Sequence, residues 1–73
     1  MSLHVQNATT IDDMPIRRFW EGDATLNQGV YAYREDAGED GNYVGAWLYR
    51  ASDDEPVGKC DGTVASILAA IRA

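Results

Sequence analysis

Only one cysteine, Cys60, occurs in this chain, so no disulfide within it can staple a small secreted scaffold. Only one histidine occurs, His4. A His-rich metal site is thereby excluded, and a Ser-His-Asp triad would need a distant supporting cast. Apolar stretches stay far below the ~18 residues of a membrane-crossing helix. Met1-Ser2-Leu3-His4-Val5 lacks the basic-then-apolar order of a signal peptide. A cytoplasmic protein with no membrane association is the expectation.

Phosphate-binding glycine motifs are also missing. The nearest string, Gly58-Lys59-Cys60-Asp61-Gly62-Thr63, places Asp61 where a phosphate would lie. The acidic run Glu35-Asp36-Ala37-Gly38-Glu39-Asp40-Gly41 does not follow the alternation of a calcium loop. No metal and no cofactor are expected. Basic residues are scarce: six Lys and Arg stand against twelve Asp and Glu, for a net charge of −6. Such a surface repels phosphate backbones, so direct nucleic-acid binding is not expected. The acids serve either solubility or attraction to a basic protein partner.

Across 73 residues the chain has 22 large apolar side chains and ten alanines. That supply suits one small domain over 1–73, with one sheet covered by one helix. It does not suit a deep substrate cavity, which typically exceeds ~300 Å³. A self-contained enzyme is not expected.

The clearest element is the last. Val64, Ile67, Leu68 and Ile71 recur at helical spacing, Thr63 suits an N-cap after Gly62, and Arg72 suits the final turn. Val30–Arg34 and Tyr43–Arg50 are rich in strand formers, with Glu35–Asn42 as a hairpin loop between them. Ala51–Pro56 is a second turn. Val57–Cys60 is a short strand, placed near an edge by Pro56. Leu3–Gln6 fits a strand, and Asn7–Asp13 reads as turn-like. Ile16–Trp20 fits a strand with Ile16, Arg18 and Trp20 on one side, and it also fits a short helix begun by Pro15. The predicted class is α+β: a small antiparallel sheet of three to five strands with the C-terminal helix packed on one face.

Alternation along the central strands divides their side chains. Val30, Ala32, Val44, Ala46 and Leu48 form an aliphatic side that suits the helix stripe. Tyr31, Tyr33, Tyr43, Trp47 and Tyr49 form an aromatic side, left for solvent, a partner, or the N-terminal segment folding over it. Tyr and Trp favour interfaces because each joins a large contact area to a polar tip. These five, with the loop acids Glu39 and Asp40, are the candidate partner-binding residues. Cys60 lies beside Lys59 and ahead of the helix, which would activate an exposed thiol, but a strand cysteine is more often an inert core residue.

From Tyr31 to Ile71 the order is strand, acidic glycine loop (Asp40-Gly41-Asn42-Tyr43), strand, then a third strand entering a helix through Asp61-Gly62-Thr63. This resembles the partial RNase H-like domain of HicB-type antitoxins, and the resemblance implies a non-catalytic domain that binds a toxin protein. The residues themselves point to a non-enzymatic interaction module, such as a small phage- or plasmid-type inhibitor of a basic partner. A homodimer joined through the aromatic face is the second option.

Overall fold

A computed structural model describes residues 2–37 and 43–73. Five strands form one antiparallel sheet in chain order: β1 Leu3–Ile11, β2 Met14–Glu21, β3 Val30–Tyr33, β4 Trp47–Arg50 and β5 Pro56–Lys59. One helix, α1 Val64–Arg72, follows. The α+β class and the C-terminal helix read from the sequence are both present.

β1 and β2 make a hairpin closed by Asp12 and Asp13, whose φ angles of 50° and 66° are left-handed. Two such residues match the right-handed twist of the flanking strands, and Asp tolerates the conformation because its short polar side chain bonds locally. The expected turn over Asn7–Asp13 is therefore corrected: only Asp12–Asp13 turns. Thr9, Thr10 and Ile11 continue β1 against Ile16, Pro15 and Met14, and a register shift between Gln6 and Thr9 absorbs the polar stretch. The strand reading of Ile16–Trp20 holds. Pro15 is tolerated because β3 ends at Tyr33, opposite Ile16, so no β3 carbonyl awaits a donor from Pro15.

Gly29 delivers the chain into β3. A Cβ there would come within 1.9 Å of the Phe19 carbonyl oxygen, so the close crossing over β2 admits no side chain. After β3 a 3₁₀ turn, Arg34–Ala37, buries Ala37 in the core. Glu39 and Asp40 lie outside the described residues.

The strand expected over Tyr43–Arg50 is shorter, beginning at Trp47. Tyr43 (φ 68°) and Gly45 (φ 88°) are left-handed, which a continuous strand cannot be, and the Ala46 amide donates back to the Tyr43 carbonyl. β5 ends the sheet as the short edge strand expected from Pro56. Cys60 extends its pairing: its amide donates to Ala46, and its carbonyl accepts from Gly45.

The core lies between the sheet and α1. Phe19, Val30, Ala32, Ala37, Tyr43, Ala46, Leu48 and Cys60 form its floor, and Ile67 and Ala70 press into it from the helix. Asp61 and Thr63 build the helix start. Thr63 donates its amide and hydroxyl to the Asp61 carboxylate and accepts from the Ser66 amide. Those bonds from Thr63 hold the Asp61 carboxyl below its usual range. At the other end Arg72 grips Glu21 of β2 through Nε and Nη2, at 2.7 and 3.2 Å. The helix is rotated from the expected stripe: Ile67 and Ala70 are buried, Ile71 and Leu68 partly so, and Val64 is 56% exposed. Ala70 has nothing beyond Cβ, so the helix can approach the sheet there.

Ile67→Ala should cost about 2–4 kcal/mol, through lost burial and an unfilled space. Val64→Ala should change stability by less than about 0.5 kcal/mol. Urea unfolding of both variants checks the rotation; equal losses would contradict it.

Candidate functional site

On the side of the sheet away from α1, strand register assembles an aromatic surface. Arg18 of β2 lies opposite Tyr31 of β3, and Tyr31 lies opposite Tyr49 of β4. Ile16 lies opposite Tyr33, and Trp47 opposite Lys59 of β5. Facing residues of paired strands project to the same side. All these side chains therefore share the face that α1 does not cover.

Tyr31, Tyr33 and Tyr49 form a triangle, with each pair of ring centroids 5.6 Å apart. Tyr31 stacks on Tyr49 and meets Tyr33 edge-on, both favourable for ring quadrupoles. The Arg18 guanidinium lies 5.8 Å from the Tyr31 ring centre, and the Tyr31 hydroxyl donates to Asp54 Oδ1 at 2.7 Å. These neighbours help bury Tyr31 on the side of the sheet that α1 does not cover. Ile16, 1% exposed, is buried on the same side. Asp54 has φ 60°, so the β4–β5 turn itself aims the carboxylate at the phenol. Burial first, and then this bond, raise the Tyr31 pKa above its ordinary value.

The outer part of the face is open. Trp47 is 44% exposed, with the Lys59 ammonium 5.3 Å from its ring centre. Tyr33 and Tyr49 are half-buried. Trp20 stacks on His4, with centroids 5.4 Å apart. The N-terminal hairpin thus widens the sheet instead of folding over the rings. Exposed Asp53, Asp54 and Glu55 rim the face at the β4–β5 turn, and Arg50 binds Asp53 through two contacts of 2.9 and 2.8 Å.

Of the candidate residues, Tyr31, Tyr33, Trp47 and Tyr49 share the uncovered face. Tyr43 does not, and its placement is corrected. It is 3% exposed within the core on the helix side, under the Arg17 guanidinium at 4.2 Å. Left-handed turns at Tyr43 and Gly45 break the alternation that had assigned it to the other side. Val44 is the converse case, facing solvent instead of the helix. Arg18, Lys59, Trp20 and His4 join the face without having been singled out. The grouping of Ile16, Arg18 and Trp20 was visible in β2, but nothing in its own residues said which side of the sheet they meet.

Cys60 is buried and packs in the core. Among the described residues no cluster of His, Cys, Asp and Glu is arranged to hold a metal ion, and no helix is long and apolar enough to cross a membrane. No family model matches the chain, and no curated protein and no solved structure is found similar to it. The likeness to HicB-type antitoxins rests on the quoted residues alone.

Tyr31→Phe should cost about 1 kcal/mol, the net worth of one intramolecular hydrogen bond. The fold favours the neutral phenol, so the associated stability is complete below about pH 10 and is lost as pH rises beyond it. Alkaline unfolding curves should therefore be flatter for Tyr31→Phe. Identical slopes for the two proteins would show that the bond to Asp54 contributes nothing.

Proposed function

We propose that the chain is a non-enzymatic interaction module, acting in the cytoplasm, that docks a protein partner against its aromatic sheet face. The observation carrying this reading is Trp47: a large ring, 44% exposed, on the face that α1 does not cover and that Tyr33 and Tyr49 share. Trp and Tyr are the residue types that dominate binding energy at such surfaces. The acidic rim of Asp53, Asp54 and Glu55, with the net charge of −6, favours a partner whose contacting surface is basic. An inhibitor that occupies a basic functional surface of its target fits this size and charge.

Two details refine the electrostatics. Arg18 and Lys59 already lie against rings of the face, so its centre is less acidic than its rim. A basic partner would gain its attraction at the edges and its contact area at the centre. The contacts of Arg18 with Tyr31 and of Lys59 with Trp47 are of the kind that cations of a basic partner would make with such rings, which supports the same partner chemistry.

Trp47→Ala should weaken partner binding at least about tenfold, as hot-spot truncations do, while leaving the melting temperature within a few degrees. The test is affinity capture from the native host with wild-type and Trp47→Ala proteins, each eluted in a salt gradient. A basic protein retained by the wild type, lost with the variant and released by salt is the expected result. Equal retention by both, or a variant that unfolds, would remove the reading.

A further inference from the structure

The two outer strands of the sheet differ in how they meet solvent. β5 is four residues long, contains Pro56 and Lys59, and is offset by a register shift opposite β4. Short length, proline, lysine and irregular pairing are the devices that keep an edge from recruiting another strand. β1 is nine residues long, contains no proline, lysine or carboxylate, and among the described residues is paired on one side only. In a chain with twelve acids, this edge lets two copies meet without bringing carboxylates of the paired strands together.

The directions of its backbone groups follow from the ladder. The Gly22 amide donates to the Ser2 carbonyl at 2.9 Å, so Ser2 faces β2. Antiparallel alternation then turns His4 and Gln6 inward and leaves the amides and carbonyls of Leu3 and Val5 pointing out of the sheet. Val5 lies opposite Phe19, on the helix side, yet is 49% exposed. The helix lies chiefly over β2; Leu3 packs at the margin of the core beside it, and Val5 is left uncovered.

We propose that β1 pairs antiparallel with β1 of a second copy of this chain, about a two-fold axis at His4. Leu3 then faces Val5 of the other copy and Val5 faces its Leu3, so the outward groups of both residues in both copies are satisfied. Four aliphatic side chains, two from each copy, meet on the helix side of the seam. The axis is normal to the sheet, so both aromatic faces fall on the same side of one ten-stranded sheet. His4 and Trp20 of each copy border the seam and join the two faces. The proposal rests on the β1 edge and stands independently of what docks on the aromatic face.

Sedimentation equilibrium from micromolar to millimolar protein tests it, with Val5→Pro as the variant. The Val5 amide makes no bond within the chain's own sheet, so proline there removes an intermolecular donor and no intramolecular one. The expected result is a wild type that doubles in mass with concentration and a folded Val5→Pro that stays monomeric. Val5→Lys, which sets like charges across the seam, should weaken the dimer at least about tenfold and keeps the test informative if the proline variant unfolds. Amide exchange at Leu3 and Val5 should slow as the wild type is concentrated. A wild type monomeric throughout, a dimer indifferent to Val5→Lys, or a dimer abolished by Trp47→Ala would overturn the proposal; the last outcome would place self-association on the aromatic face.

Discussion

Everything in this structure depends on the pleat of three adjacent strands being held in one register. Val30 and Ala32, opposite Phe19 and Arg17, turn their aliphatic groups toward α1 together with the Phe19 ring. Arg18 with Tyr31, and Tyr31 with Tyr49, turn rings and a cation the other way. A slip of one residue would exchange the two sets, because strand side chains alternate with a period of two. A nine-residue helix has little stability alone and needs an aliphatic floor on which to lie. The same register that supplies this floor leaves the tyrosines outside it, so helix docking and ring exposure are consequences of one arrangement.

The outer rings are organised although α1 lies on the other side of the sheet. Tyr31 spends its surface on Tyr33, Tyr49 and Arg18 and its hydroxyl on Asp54, which makes it a foundation for the face. Tyr33, Tyr49 and Trp47 stand around that foundation with area to spare. Contacts among its own side chains order this surface before any partner arrives, and pre-organisation lowers the entropy cost of association.

Much of this architecture was legible in the residues. The Gly62-Thr63 start and aliphatic spacing of α1, the Pro56 edge strand, and the opposition of Val30 and Ala32 to Tyr31 and Tyr33 are local signals, and they hold. What was not legible required knowledge of backbone sign or of neighbouring strands. Tyr43 looked like the first residue of a strand because Tyr43-Val44-Gly45-Ala46 alternates well, and nothing in those letters announces left-handed angles at Tyr43. Asn7 to Asp13 looked like a turn because it is polar, whereas β-branched Thr9, Thr10 and Ile11 pair readily with β2. Val64 lost its place in the stripe because the Arg72–Glu21 contact and the small Ala70 together bring another part of the helix against the sheet. Arg18 and Lys59 entered the face through pairings across strands, which no single segment encodes.

The central claim is that helix and rings occupy opposite sides of the sheet, and proton–proton contacts measured by nuclear magnetic resonance test it most directly. The methyl groups of Ile67 should show cross-peaks to Phe19, Leu48 and Tyr43 and none to Tyr31, Tyr49 or Trp47. Cross-peaks from Ile67 to the Tyr31 or Tyr49 ring would put the helix over the aromatic side and contradict the account.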